Sequence, residues 1–247
     1  MKLLVCISLV PDTTTKISFV DNDTKFNSNG VQWILNPYDE WYALVRALEI
    51  VEAGGGSVTV INVGPAANDQ VIRKALAIGA DDAIRVDASD DLSSYEVAAN
   101  IAKVAKDGAY DMVFLGKETI SYNNSSIGGM VAELLGVPFV SYANHLDLNG
   151  NTATISREIE GGKETVQVNT PFVLSASKDL AEQRIPNMRG IMAAKKKPLN
   201  VVSATQVDAL TSTVRYELPP AKSQVKMISP DNVGELVELL HNEAKVI

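Results

Sequence analysis

The chain reads as an α/β protein built on a doubly wound parallel sheet with helices on both faces, followed by an antiparallel hairpin and an extended C-terminal arm. Three observations predict this. Apolar runs of strand length alternate with segments of helical periodicity from residue 3 to residue 139, the pattern of successive β-α-β units. Hydrophobic residues fill 46 % of the 247 positions but aromatics only 6 %, so the core is aliphatic, as parallel sheets covered on both faces require. Beyond about residue 145 the pattern changes to strict alternation around a Glu160-Gly161-Gly162-Lys163 turn, which predicts an antiparallel hairpin.

The elements follow in order. Residues 3–10 form a continuous apolar run that reads as one buried parallel strand. Lys16 to Val20, turning at Asp21-Asn22-Asp23, predicts a short hairpin. Asn36-Pro37 opens a helix, with Pro37 in the tolerated first turn. Tyr42, Leu44, Val45, Leu48 and Val51 give that helix its apolar face, and Gly54-Gly55-Gly56 ends it. Ser57–Val63 is a second strand and Asn68–Gly79 a second helix, with Val71, Ile72, Ala75 and Leu76 on one side. Ala83–Val86, the helix Leu92–Lys106, the strand Met112–Leu115 and the helix Ile127–Leu135 continue the alternation, and Phe139 begins another strand. Thr152–Ser156 and Thr165–Val168 are the hairpin strands, and Pro171–Ser175 fits a further strand. Residues 199–228, with Pro219-Pro220, read as an extended arm. The last helix, Val233–Lys245, presents Leu236, Val237, Leu239 and Leu240, either to a partner or to the chain's own sheet.

The totals narrow the function classes. A formal charge of −8 repels nucleic acid and anionic membrane surfaces, so neither is expected as a partner. The lone Cys6 rules out an internal disulfide, and its place inside an apolar strand reads as a small buried hydrophobe rather than a reactive thiol. His145 and His241 show no metal-ligand spacing. No metal site, Gly-x-Ser-x-Gly elbow or other catalytic constellation emerges. The N-terminal apolar run stops at Pro11-Asp12, and no run has the length to span a bilayer. The expectation is a cytoplasmic, non-membrane-inserted protein without catalytic residues of its own.

Ligands on doubly wound sheets bind beyond the carboxyl ends of the strands, near a topological switch point, so the loops after residues 10, 63 and 116 are the places for a site. The stretch Gly116 to Gly129 joins a strand to a helix through small polar residues. Its free backbone N–H groups could hold a phosphate at the helix N-terminus, or Ser125 or Ser126 could simply cap the helix. It lacks the Gly-Lys-Ser/Thr of a Walker loop. Lys195-Lys196-Lys197 fits either a docking patch or a solvated helix end.

The later segments carry a family resemblance. Ile155-x-Arg157-Glu158-Ile159-Glu160-Gly161-Gly162-x-Glu164-x-Val166, followed by Pro171-Phe172-Val173-Leu174-Ser175, resembles the hallmark of electron-transfer flavoprotein beta subunits. Arg184-Ile185-Pro186-Asn187-Met188-Arg189-Gly190-Ile191-Met192-Ala193-Ala194 and the following lysines resemble that family's partner-recognition loop and basic helix. Asn36-Pro37-Tyr38-Asp39-Glu40, Val63-Gly64-Pro65-Ala66 and Arg73 to Asp81 agree in order. The resemblance implies a heterodimer with a larger alpha subunit that carries most of an FAD on a mobile domain. It implies electrons arriving from dehydrogenases, typically acyl-CoA dehydrogenases of fatty acid oxidation, and leaving to a membrane quinone oxidoreductase. By position, Cys6, Asn36, Val63 and the Ser125-Ser126-Ile127-Gly128 turn would line a pocket for AMP. Tyr38 would lie near the flavin, Arg157 and Glu158 would face the FAD domain, and Met188 would be the apolar anchor for the dehydrogenase. Residues 1–198 would then be a nucleotide-binding-type domain bearing the recognition loop, and 199–247 an arm and helix docking on the alpha subunit.

One segment departs from the family pattern. AMP-binding relatives carry Asp-x-Asp-x-x-Asn-Gln-Thr-Gly after the Gly-Lys strand end, and electron-bifurcating relatives with a second FAD carry Asp-x-Asp-x-Ala-Gln-Val-Gly. Here Ser121-Tyr122-Asn123-Asn124-Ser125-Ser126-Ile127-Gly128 replaces both, without the aspartates or the glutamine. A bifurcating carrier is therefore one alternative. A flavin-free nucleotide-binding sensor on the same fold is another, and a stand-alone adenylate-forming enzyme is disfavoured by its missing phosphate loop.

Overall fold

A computed structural model describes residues 1–222 and 224–247. The chain divides into two compact units, one formed by Met1–Ile17 with Asn27–Val214 and the other by Ser18–Phe26 with Arg215–Ile247.

The larger unit contains strands β1 (Lys2–Cys6) and β2 (Leu9–Pro11). The hairpin strands β3 (Phe19–Val20) and β4 (Lys25–Phe26) belong to the smaller unit. The larger unit resumes with β5 (Trp33–Leu35), α1 (Asp39–Gly54), β6 (Ser57–Gly64), α2 (Asp69–Ile78), β7 (Asp82–Asp87), α3 (Ser94–Gly108), β8 (Met112–Gly116) and α4 (Ile127–Leu135). It closes with β9 (Phe139–Asn149), β10 (Thr152–Ile159), β11 (Gly162–Asn169), β12 (Phe172–Ala176), α5 (Met188–Ala194) and β13 (Leu199–Ser203). A nine-stranded sheet runs in the order β11-β10-β9-β12-β8-β1-β6-β7-β13. It is parallel throughout except at the β9-β10-β11 meander.

Alternation along the central strands sends side chains to opposite faces. Leu3, Val5, Met112 and Phe114 join α1 and α2 in one core cluster, with Leu44, Leu48, Ile72 and Leu76. Leu4, Cys6, Val113 and Leu115 join α3 and α4 in the other, with Ile101, Ala105 and Val131. Local signals set the helix ends. A capping box between Ser93 and Glu96 starts α3, and Gly136, at φ 67°, stops α4 in the left-handed conformation that glycine adopts without strain.

Three sequence expectations change. The apolar run of residues 3–10 is two strands, because Ile7 still pairs with β6 (N–H to Ile61 O, 2.9 Å) while Leu9–Pro11 turns to pair antiparallel with β5. The first helix opens at Asp39, two residues after Pro37, because Asn36 is still extended and donates its N–H to Ser8 O at 3.0 Å. The extended arm begins later than residue 199, because Leu199–Ser203 adds to the sheet edge in parallel register with Ala83–Asp87.

In the smaller unit β3 and β4 form the expected hairpin. Phe19 stacks on Tyr216 with ring centroids 4.8 Å apart, and Tyr216 N–H donates to Asp23 O at 2.8 Å. The terminal helix is α6 (Val233–Glu238), widening into a π-helical turn over Leu239–Glu243. Leu236 and Val237 are exposed on it. Among the described residues no helix is long and apolar enough to cross a membrane.

Candidate functional site at the switch point

After β1 the chain passes through α1 to β6 and through α2 to β7 on one side, then returns to β8 on the other side of β1. The carboxyl ends of β1 and β8 are therefore the switch point, where the loops diverge and leave an open edge.

Ser8 follows β1 and is held from below by Glu40. Its N–H donates to Glu40 Oε2 at 2.6 Å, and its hydroxyl lies 2.7 Å from Oε1. Ser8 O in turn accepts from Asn36. The buried Asn36 amide reaches across to the loop after β8: its Nδ2 donates to Glu118 O at 3.2 Å, and its Oδ1 accepts from Ile120 N–H at 3.0 Å. One side chain thus ties the entry to α1 to the loop that precedes α4. Gly116 closes the joint, since a Cβ there would lie 2.9 Å from the Glu40 backbone nitrogen and 3.0 Å from Asp39 Cβ.

Burial governs the electrostatics here. It pushes the Glu40 carboxyl up to about 8 against the Ser8 hydrogen bonds, with Asp39 adding to the rise. Burial likewise raises Asp39 to about 6, partly countered by the Lys117 ammonium and reinforced by Glu118. The Cys6 thiol is raised well above its ordinary value by burial and then by Glu40, so it stays a protonated core residue.

Two tyrosines at this edge adopt a left-handed backbone that bulky residues rarely take. Tyr38, at the N-cap of α1, has φ 66° and is 52 % exposed. Tyr142 has φ 57°, is anchored by its N–H to Ser175 Oγ at 3.1 Å, and has the Lys117 ammonium 5.8 Å from its ring centroid. In the loop after β8, Asn123 and Ser125 also have positive φ. Ser125 Oγ donates to Glu118 Oε2 at 3.2 Å, and Asn124 reaches Ser94 on α3 at 2.8 Å. Ser126 is the N-cap residue of α4, yet among the described residues its side chain makes no cap hydrogen bond. Serine capping therefore does not account for the stretch, and the first-turn N–H groups of α4 have no intrahelical acceptor.

The structure brings several of the expected residues together. Cys6 is a buried member of the second core cluster, and Val63 and Ile127 pack against it. Gly128 is buried close to Phe139, where a Cβ would approach the ring to 2.9 Å. Asn36 ties instead to the loop after β8 through Glu118 and Ile120, and the exposed Tyr38 follows it at the N-cap of α1. Arg157 lies farther along the same edge. Cross-strand register runs Gly116, Ala176, Ala143, Arg157, Glu164 in one row, about 14 Å from Gly116 to Arg157 at the usual strand spacing. There Arg157 Nε pairs with Glu164 at 3.2 Å, and the exposed Glu158 sits opposite Lys163. Met188 is not part of this edge. It is 75 % exposed at the start of α5, which packs on α2.

Sequence reasoning passed over Ser8, Glu40, Lys117 and Tyr142. Glu40 carried a signal: it stands four residues before Leu44 on the buried stripe of α1, where an acid needs a partner. Nothing local marks Tyr142, whose conformation is set by the β9–β12 bulge.

Fold and site together define a doubly wound α/β protein with a polar, glycine-lined edge at its switch point. The pattern of the electron transfer flavoprotein domain matches residues 23–207. The electron transfer flavoprotein subunit beta of Bacillus subtilis is 34 % identical over 260 residues, covering 100 % of both chains. That of Syntrophomonas wolfei is 33 % identical over 250 residues, covering 100 % of this chain and 98 % of the relative. The mitochondrial electron transfer flavoprotein subunit beta of Arabidopsis thaliana is 34 % identical over 254 residues, covering 100 % of both chains. The chain belongs to the electron transfer flavoprotein beta-subunit family.

Proposed function

We propose that this subunit pairs with a larger alpha subunit to form a heterodimeric electron carrier. It receives electrons from dehydrogenases, acyl-CoA dehydrogenases among them, and delivers them to a membrane quinone oxidoreductase. The observation that carries this reading is the full-length likeness to proteins named as beta subunits. FAD, held mostly by the alpha subunit, supplies the redox chemistry when bound. This chain's own residues receive and orient it: the exposed Tyr38 offers a ring face at the rim, and Arg157 and Glu158 meet the FAD-bearing domain. The arm and α6 dock on the alpha subunit through their exposed apolar residues, such as Val233 and Val237.

The switch-point edge also fits a small nucleotide, AMP in our reading. The uncapped first turn of α4 presents backbone donors to a phosphate. Cys6, Val63 and Ile127 give an apolar wall, Gly128 keeps the helix close behind it, and Asn36, Ser125 and Ser126 border it. No aspartate of the family's usual motif is required for those contacts.

The test is anaerobic mixing of the flavin-bearing heterodimer with an acyl-CoA dehydrogenase and its acyl-CoA substrate. Bleaching of the heterodimer's flavin absorbance is expected, and a flavin that stays oxidised would remove acyl-CoA dehydrogenases as donors. In the same assay Met188→Ala is expected to lower kcat/KM roughly tenfold, the loss typical of an apolar anchor, with flavin content unchanged. An unaltered kcat/KM would remove Met188 as the anchor.

A further inference from the structure

The segment from Arg184 to Lys197, which bears the proposed docking residue Met188, is fastened to the body at both ends. At its front, Trp41 Nε1 donates to Arg184 O at 3.2 Å, and the Arg184 guanidinium forks onto Glu52, with Nη1 to Oε1 at 2.6 Å and Nη2 to Oε2 at 3.0 Å. Trp41 and Glu52 are about three turns apart on α1 and so lie on the same side of it. The Lys74 ammonium from α2 sits 4.6 Å from the Trp41 ring centroid, a cation–π contact that fixes the indole. At the rear, Arg73 Nη1 donates to Ala194 O at 2.8 Å and Lys197 O at 2.7 Å. The Lys197 ammonium donates to Leu76 O, Gly79 O and Ala80 O at the end of α2. Between the two fastenings Gly190 lies against α2, where a Cβ would come within 2.4 Å of Ala77 O.

Beside the exposed Asn187 and Arg189, this arrangement holds out three apolar side chains. Ile185 is 83 % exposed, Met188 75 % and Met192 60 %. Such side chains on a loose loop would fold onto their own surface, and a partner would have to order them at the cost of conformational entropy. The front fastening is also solvent-facing, with Arg184 and Glu52 side chains 36 % and 57 % exposed. Pairs of that kind contribute little to global stability, so the contact acts on local geometry rather than on whether the chain folds.

We infer that Trp41, Glu52 and Arg184 form a positioning clamp that preorganises the 184–192 segment for docking to the electron donor. The inference rests on the docking role proposed for Met188. Trp41 and Glu52 lie outside the docking segment and act through its first residue, Arg184. It also gives α1 two duties, since the helix whose N-cap is Tyr38, the residue proposed to face the flavin, carries the clamp at Trp41 and Glu52.

The experiment uses the co-expressed, flavin-bearing heterodimer with an acyl-CoA dehydrogenase as the probe. Trp41→Phe removes the donor and keeps the ring, and Glu52→Ala removes the fork. Each is expected to raise the KM for the heterodimer about three- to tenfold, the effect of losing the single indole bond or the solvent-exposed two-bond fork, with kcat and flavin content unchanged. Amide hydrogen exchange over 184–190 should accelerate in both variants while that of β1 and β8 does not change. A KM within twofold of the parent together with unchanged exchange overturns the clamp, as does a fall in kcat or flavin content at constant KM. Met188→Ala, measured in parallel, separates the two layers. If it raises KM and the clamp variants do not, the positioning role fails alone. If none of the three moves KM, the docking role fails with it.

Discussion

Glu40→Gln is expected to flatten most of the loss of stability that the parent protein shows between about pH 4.5 and pH 8. The unfolded carboxyl releases its proton near 4.5, whereas burial holds it in the folded chain up to about 8. Between those values the folded state binds the extra proton, so its advantage is complete at low pH and is lost as pH rises through the window. At roughly 1.4 kcal/mol per pH unit, the parent should lose several kcal/mol across it. Glutamine reproduces the neutral acid: its carbonyl accepts from Ser8 N–H and its amide meets the Ser8 hydroxyl, the contacts now made at 2.6 and 2.7 Å. A smaller slope should persist at the acid end, because Asp39 is also raised, to about 6. Glu40→Ala lacks the acceptor and should cost about 1–3 kcal/mol at pH 6 by stranding Ser8 N–H. Urea denaturation midpoints from pH 4 to 9 test this, and parallel curves for parent and Glu40→Gln would show that Glu40 does not carry the proton.

Gly116→Ala is expected to destabilise the fold by about 1–3 kcal/mol, the range for forced overpacking. The added methyl would meet the Glu40 backbone nitrogen and Cγ at 2.9 Å, and a main-chain atom at the start of a helix cannot swing aside as a side-chain tip can. Relief requires α1 to move away from β8, which carries Tyr38 off the rim and stretches the Asn36 bonds to Glu118 and Ile120. Flavin retention should therefore fall along with the urea midpoint. Gly54→Ala is the control. It lies in open space at the end of the same helix and should leave stability within about 0.5 kcal/mol. Equal midpoints for Gly116→Ala and the parent would mean that the joint between α1 and β8 is looser than these distances imply.

Much of this architecture is legible in the sequence because it is written in local periodicity. The helix at Ile127–Leu135 matches its expected bounds, and the hairpin strands 152–159 and 162–169 enclose the segments that alternate apolar and polar residues. The strand Met112–Leu115 is extended by one residue to Gly116. What escaped depends on distant partners. Ile7 and Ser8 look like the middle of an apolar run, and only the Glu40 carboxyl beneath Ser8 explains the break. Leu199–Ser203 reads as the start of an arm because its pairing is with β7, over a hundred residues earlier. Tyr142 shows nothing of its positive φ in its neighbours, since the bulge against β12 and the bond to Ser175 accompany it. The loop after β8 is legible as polar and small, yet its bonds to Asn36 and Ser94 come from other elements, so sequence could locate the loop but not its geometry.

As the proposed beta half of a flavin-carrying heterodimer, this chain should copurify with an alpha subunit. The most direct test is to co-express it with its candidate alpha subunit, denature the purified complex, and count the released nucleotides. A one-to-one complex that releases one FAD and one AMP is expected. Two FAD would replace the simple carrier with a bifurcating one, and FAD without AMP would remove the switch-point nucleotide. A chain that forms no complex and yields no flavin would overturn the heterodimeric carrier and leave a flavin-free sensor in its place.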